Sequence, residues 1–401
     1  MLKWCMYDVG KLLLVFIAIM ILLRKKLNIG FVMFLAASVL ILLYKMPLDK
    51  IWTTCRSTVT NPVTLKLILA LSFIRIFEMI LREHKVLALM MDTVKTVFRN
   101  RKIVTISMPL LIGLMPSVGG AYFSAPMVAE TTNDTRMSPE EKGFVNYWFR
   151  HPWEYILPLY PGILLAAAIT KIQLYDLILA NSAYAALLVI TGFMFAMHGL
   201  RGGTVAEKHM SAHGIWSFAP IVSVLLLVML FRIELHYSLI AVVLFLFFFY
   251  RYRAKNILAT FRHGFSLDVI VLILGVMFFK EAMENSGAVR NLSQFFLGEN
   301  IPVSPILFLL PFISGVLTGI TVGFVGSTFP LLISLTENTS VAAISFAFAS
   351  GLIGVLLSPV HVCLILTREY FKADLWKMYK MMIPAGVIVF AGAVVQYLIL
   401  K

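Results

Sequence analysis

Charge is the scarcest commodity in this chain. Asp, Glu, Lys and Arg make up 13% of its 401 residues and apolar residues 60%, against roughly a quarter charged and under half apolar in ordinary soluble domains. No long hydrophilic stretch interrupts the apolar runs, which leaves no room for a soluble catalytic domain. Cysteine is nearly absent as well: Cys5, Cys55 and Cys363 are too few and too scattered for a disulfide framework or a cysteine metal cluster and read as free thiols. The Gly-x-x-x-x-Gly-Lys-Ser/Thr phosphate loop is missing, which argues against ATP-driven pumping by this chain alone. A His-Glu-x-x-His helix and a Gly-x-Ser-x-Gly turn are also missing, so an intramembrane enzyme is a weak reading and no enzymatic activity is expected. Acidic residues are outnumbered 20 to 34 by Lys and Arg, for a net charge of +14. The basic residues sit in short loops between apolar runs, where the positive-inside rule places them, so nucleic acid is not an expected partner.

What the chain has instead is a series of apolar runs approaching or reaching the ~20 residues that cross hydrocarbon. Spans are expected near 9–23, 28–45, 63–82, 141–170 and 174–198, and again near 214–232, 236–252, 267–284, 339–368 and 376–400. The first run ends in Arg24, Lys25 and Lys26 without a small-residue cleavage site and is read as a retained spanning helix. Between the third and fourth span of each half lies an amphipathic stretch, Val86 to Phe98 or Ala288 to Phe296, read as a helix along the interface. A glycine-interrupted segment follows each. LLIGLMPSVGGAYFSAP (Leu110 to Pro126) and VLTGITVGFVGSTFP (Val316 to Pro330) match Gly113 with Gly319, Gly120 with Gly326 and Phe123 with Phe329 at one offset. Their arms are too short to cross and are expected to form re-entrant hairpins.

Five spans per half is odd, so the second copy must be inverted. The expected organisation is a first repeat over 1–198, with its hairpin at 102–130 and its broken helix at 141–170, then a connector over 199–213. An inverted second repeat follows over 214–401, with its hairpin at 303–336 and its broken helix at 339–368. The side holding Arg24 to Lys26 and Arg251 to Lys255 carries roughly twice the Lys and Arg of the other, which makes it cytoplasmic and puts both termini outside. A multi-pass protein of the cytoplasmic membrane, with the lipid bilayer as its surroundings, follows.

Helix breaks at corresponding positions of two halves point to a transporter's binding site. The first hairpin tip offers Ser117, Gly119, Gly120 and Ser124 beside Pro116; the second offers Thr321, Gly323, Gly326, Ser327 and Thr328. Glycine lets a ligand approach the backbone, and hydroxyls supply adaptable hydrogen bonds. Close helix packing through small residues is the competing explanation. A second duplicated feature follows: NYWFRHPWEYILPLYPG (Asn146 to Gly162) corresponds to IGVLLSPVHVCLILT (Ile353 to Thr367), with Pro152 facing Pro359. Proline removes a helical hydrogen bond, so both helices should break there. The first break carries Arg150, His151 and Glu154 beside Asn146, the second Ser358 and His361. Ionisable groups inside a span are expensive and are candidate functional residues. Arg150 can grip an anion, Glu154 or His151 can carry a coupling proton, or Arg150 and Glu154 can form a purely structural ion pair. Tyr147, Trp148, Trp153 and Tyr155 are second-line candidates for stacking on a substrate. Arg75 with Glu78, and Lys280 with Glu281 and Glu284, are spaced for local pairing and expected to snorkel to the interface.

The run PLLIGLMPSVGGAYFSAPMVAE followed by NYWFRHPWEYILPLYPG resembles a prokaryotic membrane family known as domain of unknown function 401. That family is grouped with the ion-transporter superfamily, beside arsenite, citrate, gluconate and dicarboxylate carriers. The resemblance implies an all-α homodimer of inverted five-span repeats, each with a re-entrant hairpin and a proline-broken helix, working as an elevator. It also implies a sodium site, which here would fall on Ser117, Gly119, Ser327 and Thr328. The dicarboxylate branch carries Ser-Asn-Thr at its hairpin tips; this chain has Ser117-Val118-Gly119 and Gly326-Ser327-Thr328, so neither dicarboxylate selectivity nor sodium coupling carries over residue by residue. The expected function is secondary transport of a small organic anion, coupled to Na+ or H+, with Arg150 as countercharge. The alternative is a Na+/H+ or other ion exchanger without an organic substrate. No cofactor beyond a sodium ion is expected.

Overall fold

The structure is a computed structural model that describes residues 2–25, 27–98, 100–116, 120–196, 212–288, 302–333, 335 and 340–401. Among these residues it is all-helical. The first half runs α1 (Leu2–Arg24), α2 (Ile29–Leu43), α3 (Leu48–Thr60), α4 (Pro62–Glu83), α5 (Val86–Val97), α6 (Arg101–Gly113), α7 (Gly120–Thr132), α8 (Pro139–Trp148), α9 (Trp153–Ile156), α10 (Pro161–Thr170) and α11 (Leu174–Ala196). The second half runs α12 (Ala219–Leu225, flanked by a 3-10 turn and a π turn), α13 (Leu235–Phe249), α14 (Ala254–Gly264), α15 (Leu267–Asn285), α16 (Ser304–Thr318), α17 (Thr321–Leu332), α18 (Val341–Leu356), α19 (Val362–Phe371) and α20 (Leu375–Leu400). Helix starts carry the expected chemistry: Asn28, Asn61, Asn100, Ser340 and Asp374 each accept a backbone N–H at the N-cap, and Ser138 with Glu141 closes a capping box.

The two halves share backbone detail. Helices α2 and α13 are each 15 residues long, and each is followed by a basic residue in the left-handed region, Lys45 at φ 47° and Arg251 at φ 52°. Lys171 and Lys372 end α10 and α19 in the same way. A cation at that position lies against the negative end of the helix dipole.

Packing between the halves is reciprocal. Helix α2 packs on α15 while α13 packs on α4; α3 packs on α15 while α14 packs on α4; α10 packs on α17 while α19 packs on α7. At the α2–α15 crossing the backbones touch: a Cβ on Gly30 would lie 2.2 Å from the Val271 carbonyl oxygen, and one on Gly275 2.2 Å from that of Gly30. Only glycine permits that approach.

Among the described residues three stretches are long and apolar enough to cross a membrane, Pro139–Thr170, Leu174–Ala196 and Leu375–Leu400. They sit at different depths in the bundle: the apolar window of the first is 78% buried by protein and that of the last 28%. Helix α20 therefore lies at the periphery, and the broken stretch α8 to α10 in the core. Outside, Phe31, Leu42, Leu244, Phe245, Phe248, Leu398 and Ile399 are exposed. Large apolar side chains facing outward on α2, α13 and α20 suit a lipid surrounding. The arms α6, α7, α16 and α17 have 12 to 15 residues, below the ~20 needed to span.

Three expectations need correction. The amphipathic helices α3 and α14 stand in what apolar runs marked as loops, because each has one buried face only. The turn of the second hairpin sits at Gly319, φ 65°, and helix resumes at Thr321. Gly323 stays in the first turn of α17, against Thr318 and Ile320, but Gly326, Ser327 and Thr328 are deeper inside α17 and not at its tip: Gly326 packs beside Val276, Ser327 donates to Gly323 and bonds Ser314, and Thr328 donates to Phe324. Lys280 does not snorkel. It is buried, 2.8 Å from Glu284, and Glu281 accepts from Ser57 and Asn61 of the α3–α4 junction. Of the other pair, Arg75 donates to Ser266 and Glu78 pairs with Arg82. The first amphipathic stretch forms a helix, α5, over Val86–Val97 with Phe98 as its C-cap. Beyond Ala288 its counterpart lies outside the described residues, as do Ser117, Gly119 and nearly all of the connector.

Candidate functional site

Both long helices break at their prolines. Between α8 and α9 the chain passes through Phe149 to Pro152, and between α18 and α19 through Leu357 to His361. Each break lies against the end of its own hairpin's first arm and caps that arm's exposed carbonyls. Trp153 donates to Leu110 (2.7 Å) and Tyr160 to Gly113 (2.6 Å); Ser358 donates to Val316 (2.6 Å) and His361 Nδ1 to Gly319 (2.6 Å). The two acceptor pairs have the same spacing in both halves. A helix end buried in hydrocarbon needs such partners, because water is not there to supply them. The contact is tight: a Cβ on Gly113 would lie 2.3 Å from the Arg150 carbonyl oxygen, and one on Gly319 2.9 Å from the His361 nitrogen.

The breaks also meet each other. His151 Nε2 lies 3.1 Å from His361 Nε2, and Arg150 donates to Cys363 Sγ at 2.6 Å. Glu154 accepts a short hydrogen bond from Thr321 with one oxygen and places the other 3.7 Å from His151 Nε2. Arg150, His151, Glu154, His361 and Cys363 are all buried. Thr321 opens the returning arm of the second hairpin, where its side chain lies against Gly162 at the start of α10. One level away, Asn146 donates to Ala121 (2.9 Å) and Thr367 (3.0 Å) and accepts from Ser124 (2.6 Å), which ties the first hairpin to α19.

Of the residues singled out from sequence, Arg150, His151, Glu154, Thr321 and His361 come together. Asn146 with Ser124 forms a neighbouring polar node, and Gly120 opens α7. Gly323, Gly326, Ser327 and Thr328 pack within α17. Pro116 precedes undescribed residues; Pro152 and Pro359 stand at the breaks. The aromatic residues hold structure: Tyr147 donates to Leu356, Trp148 to Leu188, and Tyr155 packs on Tyr184 and Phe348. Sequence reading missed Cys363, which partners Arg150 across the halves. Its one signal was its position two residues after His361. A cleft of about 550 Å³ lies elsewhere, between α4, the α10–α11 turn and the start of α13, and includes Lys66, Lys171, Arg232 and Glu234.

An all-helical chain with helices of membrane-spanning length, an apolar exterior and a buried polar centre has the character of a helical membrane protein. Residues 9–400 match the family described as protein of unknown function (DUF401), and the chain belongs to that family. No curated protein matches it.

Proposed function

We propose that this protein is a secondary active transporter. It moves a small organic anion across the cytoplasmic membrane by elevator-type alternating access, coupled to Na+ or H+. The observation that carries this reading is the convergence of both helix breaks and the second hairpin's turn on one buried centre holding Arg150, His151, Glu154 and His361. Charges this deep in an apolar bundle are costly and are retained where they serve a substrate or an ion. The matched helices and reciprocal packing support two inverted repeats, with the short-armed hairpins as re-entrant elements. In this reading the hairpins, the broken helices, α11 and α20 travel together, and α1 to α4 with α12 to α15 form the dimeric scaffold. The 550 Å³ cleft then lies where the two units meet.

Arg150 supplies the positive charge for the anion, since a guanidinium keeps its charge and offers a forked set of donors. Glu154 and the facing histidines hold the coupling proton. In proteoliposomes, one class of labelled carboxylate, phosphonate or sulfonate should accumulate under a Na+ or pH gradient, and Arg150→Gln should abolish that uptake. Silence toward every organic anion in folded, reconstituted protein would overturn the reading. The His151–His361 contact favours a second one, an ion exchanger with no organic substrate. Its signature is sodium flux that depends on pH and persists when every anion is silent.

A further inference from the structure

His151 Nδ1 lies 2.6 Å from the Tyr147 carbonyl oxygen and His361 Nδ1 2.6 Å from that of Gly319. A carbonyl oxygen only accepts, so both Nδ1 atoms carry hydrogen. In the neutral rings both Nε2 atoms then present lone pairs, and these face each other at 3.1 Å. Two lone pairs at that distance repel unless something positive lies between them. Metal-binding histidines are held in this way, with the far ring nitrogen donating to a backbone carbonyl so that tautomer and ring direction are fixed. The third neighbour is a sulfur: the ligand atoms of His151, His361 and Cys363 all lie within 4.8 Å of one another, and all three residues are buried.

The geometry points to a site for one borderline-soft divalent metal ion, of the zinc type, held by His151 Nε2, His361 Nε2 and Cys363 Sγ, with the Glu154 carboxylate at the fourth position. Metal–nitrogen bonds of about 2.0–2.1 Å to nitrogens 3.1 Å apart enclose an angle of about 100°, near the tetrahedral value. A tetrahedral ion sets nitrogen and sulfur about 3.6 Å apart, so from within 4.8 Å the sulfur moves inward by about 1.2 Å at most. Two imidazoles, a thiolate and a carboxylate suit zinc and its neighbours better than Mg2+ or Ca2+, which prefer oxygen alone. Arg150, which donates to Cys363 Sγ, remains as the outer partner of the bound thiolate. His151 and Glu154 come from the first break and His361 and Cys363 from the second, so the ion would bridge the halves.

A bound ion would take up the nitrogens and the carboxylate to which the transporter reading gives the coupling proton, so proton coupling there belongs to the metal-free centre; the test measures binding and not transport, so its failure and failure of the transporter reading are separate results. A Cys5→Ser, Cys55→Ser background leaves Cys363 as the sole thiol. Co2+ titrated into that purified protein should bind once per chain and give a thiolate-to-cobalt charge-transfer band that Zn2+ displaces. Cys363→Ser should lose the band, and His361→Gln should weaken binding at least tenfold, with melting curves confirming that each variant is folded. Absence of stoichiometric Co2+ or Zn2+ binding in the background protein overturns the proposal even if the variants fail to fold; the histidines then share a proton. A charge-transfer band that survives Cys363→Ser overturns it too.

Discussion

In the first break, Trp153 and Tyr160 cap the carbonyls of Leu110 and Gly113, and the charged groups are separate residues, Arg150 and Glu154. In the second, Ser358 and His361 cap Val316 and Gly319, and His361 is also the residue that faces the first half. The backbone task is the same: a hairpin arm ends in a place without water, and its last carbonyls need donors. The side chains that meet it have diverged. With Pro152 set on Pro359, Arg150 stands opposite Leu357 and Glu154 opposite His361. Charge has been concentrated on one side of a two-sided scaffold, and the other side supplies the softer groups, an imidazole and a thiol.

The largest difference between the breaks should appear at Arg150. Arg150→Ala removes the donor to Cys363 from a buried cluster of ionisable groups and should cost about 3–5 kcal/mol of stability. No single side chain of the second break should match it when melting is compared in detergent. The glycines come next. Gly113→Ala drives a Cβ to 2.3 Å from a backbone oxygen and should cost up to about 3 kcal/mol through overpacking. Gly319→Ala meets His361 at 2.9 Å and must hold φ at 65°, for which the left-handed penalty is about 1–2 kcal/mol. Equal losses at the two positions would mean that the backbones relax alike and that the tighter contact at Gly113 has no consequence.

A smaller effect tests the shared plan itself. Tyr160→Phe leaves the Gly113 carbonyl without its donor and Ser358→Ala does the same for Val316, each at about 2 kcal/mol for an orphaned buried acceptor. Thermal unfolding of the two variants should shift by similar amounts. A neutral Ser358→Ala beside a costly Tyr160→Phe would break the parallel.

The residues that announced this site in the sequence were the ones that interrupt a pattern. Glycines and prolines at matched positions stand out against apolar runs, and Arg150, His151 and Glu154 are conspicuous because charge is rare there. Gly326 was misleading for the same reason: a glycine that lets helices pack and a glycine that turns the chain look alike until φ is known. Helices α3 and α14 escaped because a half-buried amphipathic helix has no apolar run to mark it. Lys280 read as a residue reaching the interface because nothing local reveals that its part of α15 is buried. The caps Trp153, Tyr160 and Ser358, and the thiol of Cys363, act across tens or hundreds of residues, and long-range contacts leave no periodic trace.

The smallest predicted effect concerns Asn146, which bonds Ser124 and Ala121 within its own half and Thr367 in the other. Ser124→Ala leaves the Asn146 carbonyl oxygen short of a donor, and Thr367→Val leaves one amide hydrogen without an acceptor; each should cost about 1 kcal/mol. If the first hairpin and α19 travel as one body, the two bonds are equivalent parts of one rigid node. Both variants should then lower the melting temperature slightly and leave anion uptake unchanged. If the hairpin instead slides over α19 during transport, the Thr367 bond breaks in every cycle while the Ser124 bond does not. Thr367→Val would then change the uptake rate and Ser124→Ala would not, so paired rate and melting measurements decide whether the halves are joined at Asn146 or only touch there.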